Sequence, residues 1–134
     1  MTHAELESLV HRFEDCTLPR EFWTHRAHLE VSLWYLFHFP REEATNRIRN
    51  GIQRYNHSLG NITGYHETIT LSWIAILASF LKESPTHRSL EELANEAAER
   101  FGFSDYLLLH FTKERLFCEL ASKEWVDPDL APIG

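Results

Sequence analysis

Residues 68–81, with the sequence TITLSWIAILASFL, form the most apolar stretch of the chain and lie between Glu67 and Lys82. The apolar side chains surround nearly the whole circumference of a helix, which predicts a helix that is buried on most of its surface. A membrane span needs about 20 apolar residues, so this stretch is too short to cross a bilayer. We expect a central, mostly buried helix over about 63–82, with Thr63 as its N-cap.

Capping residues and helical spacing mark the elements on either side. Thr2 and Ser89 are each followed three residues later by Glu, which is the capping-box pattern of a helix start. Thr24 is a plausible N-cap for a second helix, Pro40 suits the first position of a third, and Gly102 suits a left-handed C-cap. The helices predicted in this way run from Thr2 to before Asp15, about 24–39, about 40–60, 89–101 and about 104–125.

The size of the chain and its few turn residues favour a single helical domain. It has 134 residues with only 5 Gly and 5 Pro, which fits long helices better than a many-turned β fold. Prolines at 128 and 132 cannot continue a helix, so an irregular tail begins at about residue 126. We therefore expect an all-α fold over residues 1–134, a compact bundle of about five to six helices around the buried central helix.

Charge and cysteine content exclude several classes of protein. The 13 Lys and Arg residues against 20 Asp and Glu give a net charge of −7, which opposes binding to nucleic acid. The N-terminal residues are charged where a secretory signal needs an apolar core, and Cys16 and Cys118 form neither a disulfide framework nor a thiolate metal motif. These features favour a cytoplasmic protein with no membrane partner.

Nine histidines are the most informative feature of the composition, because imidazole is well suited to metal ligation and proton transfer. His25 and His28 are three residues apart at a predicted helix start, so their rings share one face and form a two-ligand half-site. His66 lies at the start of the central helix and supplies a third ligand. The positive end of a helix dipole keeps such rings neutral, as a metal requires.

Residues near these histidines are candidates for a pocket and for chemistry. The predicted substrate-binding residues are three aromatic side chains and one cation that could steer an anionic substrate: Trp23, Tyr35, Trp73 and Arg26. Glu67 and Tyr65 are the candidate catalytic residues, with Glu67 as a base toward metal-bound water.

Structural roles for the same residues stay open. The histidine pair could be partly exposed or cap carbonyl groups, the aromatic residues could be ordinary core, and Glu67 could be an exposed first-turn residue that stabilises the helix dipole. His110 lies among apolar neighbours, as a fourth ligand or as a hydrogen-bonded core residue.

Two segments carry a resemblance to known proteins. Trp23 to Leu29 (WTHRAHL) and Gly64 to Thr70 (GYHETIT) resemble segments of small uncharacterised bacterial helical proteins. In architecture and histidine use the chain is also similar to the DinB/YfiT-like helical bundles, and that resemblance implies a bundle in which three histidines bind a divalent metal. In that family a single histidine comes early and a His-x-x-x-His pair late, whereas here the pair comes first.

The leading hypothesis is a metal-dependent enzyme that acts on a small organic molecule. His25, His28 and His66 would hold one divalent ion, with positions left open for activating water or oxygen. Zinc would favour hydrolysis and iron would favour oxygen chemistry, and three neutral nitrogen ligands permit either metal. The alternative is a non-catalytic helical module that binds a protein or a small effector through apolar grooves. A homodimer is the expected assembly partner.

Overall fold

Seven α-helices and two 3-10 turns make up the computed structural model, which describes residues 1–133. The helices are α1 His3–Glu14, α2 His25–His38, α3 Arg41–Ser58, α4 Glu67–Glu83, α5 Leu90–Phe101, α6 Lys113–Leu116 and α7 Glu119–Lys123, with 3-10 turns at Arg20–Phe22 and Tyr106–Leu109. No strand occurs in these residues, so the all-α class is confirmed. None of the helices described combines the length and the apolar character that a membrane span requires.

Side-chain caps begin several helices where the sequence predicts them. The Thr2 and Ser89 hydroxyls accept hydrogen bonds from the backbone N–H groups of Glu5 and Glu92, and both capping boxes are complete. The Thr24 hydroxyl accepts from the Ala27 N–H and begins α2. These bonds satisfy N–H groups that have no partner within their own helix.

Helix α4 is buried as predicted, but it begins later than predicted. Every residue from Glu67 to Leu81 is buried or half-buried. The prediction of Thr63 as N-cap was wrong, because the N-cap is His66, whose ring Nδ1 accepts a hydrogen bond from the Ile69 N–H. A neutral imidazole nitrogen is an acceptor and can take the part that Ser, Thr, Asp or Asn usually plays.

The C-terminal region is not the continuous helix that its spacing predicts. Thr112 is extended, and its N–H and hydroxyl both donate to the Asp129 carboxylate, at 2.8 and 2.7 Å. This contact holds the chain extended between the 3-10 turn and α6. Cys118, which is also extended, separates α6 from α7. The buried Thr68 then fixes the tail, because its hydroxyl donates to the Glu124 carbonyl and accepts from the Val126 N–H.

Helix α2 occupies the middle of the bundle and packs against α1, α3, α4 and α5. It separates two apolar clusters. The first, which we call the α4–α5 core, includes Leu29, Leu33, Trp73, Leu77, Phe80, Leu93, Phe101 and Phe111. The second, which we call the α1–α3 core, includes Val10, Phe13, Val31, Tyr35, Ile48, Tyr55 and Ile74. Side chains at the start of α2 can therefore enter either core.

Candidate functional site

His25 points from the first turn of α2 toward the α4–α5 core. Its Nε2 lies 2.9 Å from the Phe101 carbonyl oxygen, and its ring centroid lies 5.0 Å from that of Trp73. A carbonyl can only accept, so Nε2 carries a proton, and in the neutral form of the ring Nδ1 is an acceptor. That Nδ1 has no hydrogen-bond partner among residues 1–133.

His28 points from the same helix toward the other core. Its Nδ1 donates to the Thr24 carbonyl at 2.8 Å, and its ring lies 3.8 Å from Trp23, which in turn stacks on Phe13. Burial lowers the pKa of His28 to about 4. The ring is therefore neutral near neutral pH, with Nε2 as its unprotonated nitrogen.

His66 uses both of its ring nitrogens within the fold. Nδ1 caps α4 through the Ile69 N–H at 3.1 Å, and Nε2 donates to the Leu116 carbonyl at 2.8 Å. Burial lowers the pKa of this ring, which favours its neutral form. Neither nitrogen has a lone pair free for a metal while these two hydrogen bonds last.

The three predicted ligands are not brought together around a common point. His25 bonds the end of α5, His28 lies in the α1–α3 core, and His66 joins α4 to α6. No group of three or more His, Cys, Asp or Glu side chains in the described part of the chain is arranged to hold a metal ion. This arrangement does not fit a three-histidine centre, and the metal site stays a prediction.

Glu67 and Tyr65, the predicted catalytic pair, form a partly buried cluster with Arg49. The Arg49 guanidinium donates to both Glu67 carboxylate oxygens at 3.0 and 2.7 Å, and the Tyr65 hydroxyl donates to one of them. Glu67 is only 9% exposed, so its interpretation as an exposed first-turn residue was wrong. Burial and the bond to Glu67 raise the pKa of Tyr65 to about 12.

Arg49 is the member of this cluster that sequence reasoning missed. Its place among several arginines on the polar face of α3 is typical of a solvated helix surface. The sequence contains one usable signal, because Arg49 lies one residue beyond Ile48, at the edge of the apolar stripe. Only folding brings it to the start of α4.

The predicted pocket residues do not line one cavity. Trp23 and Tyr65 pack against the α1–α3 core, and the buried Tyr35 donates its hydroxyl to Glu14 at 2.6 Å within it. Arg26 lies on the α1 side of α2, where its Nε donates to Glu30 at 3.1 Å. Trp73 belongs to the α4–α5 core instead. His110 bonds the Ala131 carbonyl through Nδ1, which is a structural role.

One cavity does join two of the predicted segments. It has a volume of about 350 Å³ and is mostly apolar, and we call it the His25 cavity. Its lining consists of His25, Ile69, Trp73, Ser104, Asp105, Leu107, Leu108, Lys113, Leu116 and Phe117. His66 supports one wall from behind, because it holds the Leu116 carbonyl and its ring lies 6.5 Å from that of Phe117.

Comparison of the chain with family models, with curated proteins and with solved structures gives no significant match.

Proposed function

We propose that this chain is a non-catalytic helical module that binds a small organic molecule in the His25 cavity. The cavity volume of about 350 Å³ is within the range of small-molecule sites, roughly 300–1,000 Å³. Such sites combine apolar walls with a few polar groups that orient the ligand. Trp73, Leu108 and Phe117 supply apolar surface here, and His25 supplies a polar atom.

The observation that carries this proposal is the separation between the cavity and the candidate catalytic residues. Glu67 and Tyr65 do not line the His25 cavity, and the Glu67 carboxylate is already paired with Arg49. His66 is committed to two backbone groups. Catalysis by Glu67, Tyr65 or His66 would need one of these groups within reach of the substrate, whereas binding needs only complementary walls.

The ring of His25 indicates which chemical group the ligand presents. Since Nε2 is held by the Phe101 carbonyl, the nitrogen left for a ligand is Nδ1, which accepts. A ligand with one O–H or N–H donor and a flat apolar body would satisfy that acceptor and pack against Trp73. Phe117, which is 62% exposed, would lose solvent contact when such a body enters.

Phenol is a suitable probe for the experiment, with toluene as the matched molecule that lacks the donor. Backbone amide NMR shifts should saturate at Ile69, Leu107 and Leu108 with a phenol dissociation constant of about 1 mM or less, as expected for a fragment. Toluene should bind several-fold more weakly, because the Nδ1 acceptor would then be desolvated without a partner.

A blocking variant locates the bound probe. Ser104→Trp places a large side chain at the rim of the cavity, and Ser58→Trp makes the same change at the exposed end of α3. Binding should be lost in the first variant and kept in the second. Absence of saturable shifts in the wild type, or equal binding by both variants, would contradict the proposal.

A metal-dependent enzyme is the second candidate, and one observation favours it. His28 is kept neutral by burial, and neither its Nε2 nor the His25 Nδ1 has a hydrogen-bond partner among residues 1–133. In their neutral forms the two rings would offer these lone pairs to zinc or iron. A third histidine would join them only if His66 released its contacts.

Metal content tests this second candidate. Protein without a histidine tag should be assayed for bound metals, together with His25→Ala, His28→Ala and His66→Ala. About one ion per chain in the wild type, lost in each variant without loss of helicity, would support the enzyme. Absence of a tightly bound metal would favour the binding module.

A further inference from the structure

A further cavity, with a volume of about 410 Å³, lies between the end of α2, the start of α3 and the last turns of α4. We call it the Arg41–Lys82 cavity, and its volume is within the range of small-molecule sites. It is lined by Leu36, Arg41, Ala78, Ser79, Leu81 and Lys82. The proposed function makes no use of this cavity.

The polar side chains of this lining can all donate hydrogen bonds. Arg41 and Lys82 are cations, and Ser79 adds a neutral hydroxyl. None of the three side chains has a hydrogen-bond or ion-pair partner among residues 1–133, since the one bond at Arg41 is made by its backbone carbonyl. The lining contains no acid, so its two positive charges are left without a counter-charge.

The carboxylates next to the two cations in the chain do not belong to the cavity. Glu42 directly follows Arg41, and Glu83 directly follows Lys82. Successive side chains of a helix point about 100° apart, and neither glutamate lines the cavity.

Two other carboxylates near the start of α3 or beside Arg41 have partners of their own. Glu43 accepts a hydrogen bond from the Nε of Arg47 at 2.9 Å. Asp127 lines a neighbouring cavity that Arg41 also borders, and its Oδ1 accepts from the Nε1 of Trp125 at 2.9 Å. Neither acid forms an ion pair with Arg41, so the guanidinium keeps its donors for a ligand.

We propose that the Arg41–Lys82 cavity binds a small organic anion, a carboxylate with a short apolar body. The carboxylate accepts from the Arg41 guanidinium and the Lys82 ammonium group, in charge-assisted hydrogen bonds about twice as strong as neutral ones. The apolar body packs against Leu36 and Leu81. The net charge of the chain is −7, so only this local arrangement of cations favours an anion. The site is separate from the His25 cavity and does not depend on the proposed function.

The test compares three probes of one shape and different charge: 3-phenylpropionate, 3-phenylpropanol and 3-phenylpropylamine. Amide NMR titrations at neutral pH should give saturable shifts at Leu36, Ala78 and Leu81 with the propionate, with a dissociation constant on the order of 1 mM. The alcohol should bind about tenfold more weakly, because it lacks the charge that pairs with the two cations. The amine should bind more weakly still, because both cations repel it.

Variants that each remove one positive charge assign the preference to the cavity. Arg41→Gln and Lys82→Gln should each reduce the preference for the propionate over the alcohol from about tenfold to about threefold, because one cation remains. Lys123→Gln makes the same change of charge on α7, near the opposite end of α4, and should leave the preference unchanged. All three side chains are exposed, so the variants should keep the fold.

Three results would overturn the inference. They are the absence of saturable shifts at the cavity with the propionate, equal binding of the alcohol and the propionate, and an undiminished preference in both Arg41→Gln and Lys82→Gln.

Discussion

At the scale of single residues, Arg49 and Glu67 join the middle of α3 to the start of α4. The two guanidinium nitrogens face the two carboxylate oxygens in the fork-to-fork geometry that gives arginine its strongest ion pairs. The Glu67 side chain is 11% exposed, whereas that of Arg49 is 37% exposed. Water therefore solvates the Glu67 carboxylate less than it solvates Arg49, so the charge of Glu67 needs the ion pair more.

Arg49→Met should lower the free energy of unfolding by about 2 kcal/mol, because it leaves a buried carboxylate without its cation. The matched control is Lys123→Met, which breaks an exposed ion pair with Glu119 and should cost less than about 0.5 kcal/mol. Urea unfolding followed by circular dichroism measures both values. Equal losses in the two variants would mean that Glu67 is not stabilised by this pair.

His28 makes stability depend on pH through its lowered pKa. In the unfolded chain the ring protonates at its ordinary pKa of about 6.5, but in the folded protein the pKa is about 4. Between these values the unfolded state binds more protons, so stability falls as the pH falls, by at most about 1.4 kcal/mol per pH unit.

Two measurements check this pH dependence. The ring carbon-bound protons of His28, followed by NMR, should titrate near pH 4, and His28→Gln should reduce the loss of stability between pH 6.5 and 4. A ring that titrates near 6.5 in the folded protein would contradict the buried, neutral state.

At the scale of elements, His66 fixes both the start of α4 and the position of α6. One ring nitrogen caps α4, and the other holds the Leu116 carbonyl at the end of α6. His66 thus connects α4 to the C-terminal region and supports a wall of the His25 cavity.

His66→Ala should lower the free energy of unfolding by about 2 kcal/mol, through loss of the cap and of the bond to Leu116. His66→Asn restores a good N-cap but not the longer reach to Leu116, so it should recover about half of that loss. Urea unfolding of the wild type, His66→Ala and His66→Asn gives their order of stability. A free energy of unfolding in His66→Ala equal to that of the wild type would refute both structural roles of His66.

The elements differ in how far the sequence predicts them. Local signals within one turn predict the capping boxes and the start of α2 correctly. The start of α4 depends on bonds to distant residues, from His66 to Leu116, 50 positions away, and from Glu67 to Arg49, 18 positions away. No local pattern contains these bonds. Residues from about 104 to 125 were predicted as one helix because their apolar spacing is helical. The tertiary hydrogen bonds from Thr112 to Asp129 interrupt that helix before α6.

Gly102 gives a further correction at a helix end. It was predicted as a left-handed cap, but its φ is −71°, in the ordinary right-handed region. A Cβ at this position would lie 2.2 Å from the Ala98 carbonyl oxygen, so lack of space and not the sign of φ favours glycine. Gly60, with φ at +80°, does have the conformation that glycine tolerates best.

At the scale of the whole molecule, the central position of α2 determines what its histidines can do. The sequence correctly predicts an all-α bundle with a buried central segment, since that follows from apolar spacing alone. It places His25 and His28 on one helical face, but the two rings enter cores on opposite sides of α2. Only the packing of four helices around α2 reveals that difference.

This arrangement explains why binding is the function that we favour. The ring of His25 bonds the end of α5, and the ring of His66 bonds the end of α6. These two hydrogen bonds shape the cavity at the start of α2. The cavity keeps an apolar wall and one unpaired acceptor at His25. Its geometry therefore suits recognition of a small molecule.

The most direct test of this account is nitrogen-15 NMR of the histidine rings, recorded with and without one equivalent of zinc. We predict that His25 and His66 carry their proton on Nε2 and His28 on Nδ1, and that zinc leaves all three patterns unchanged. Loss of the Nε2 proton of His66, with shifts of all three rings at one equivalent, would contradict the account and establish the metal centre instead.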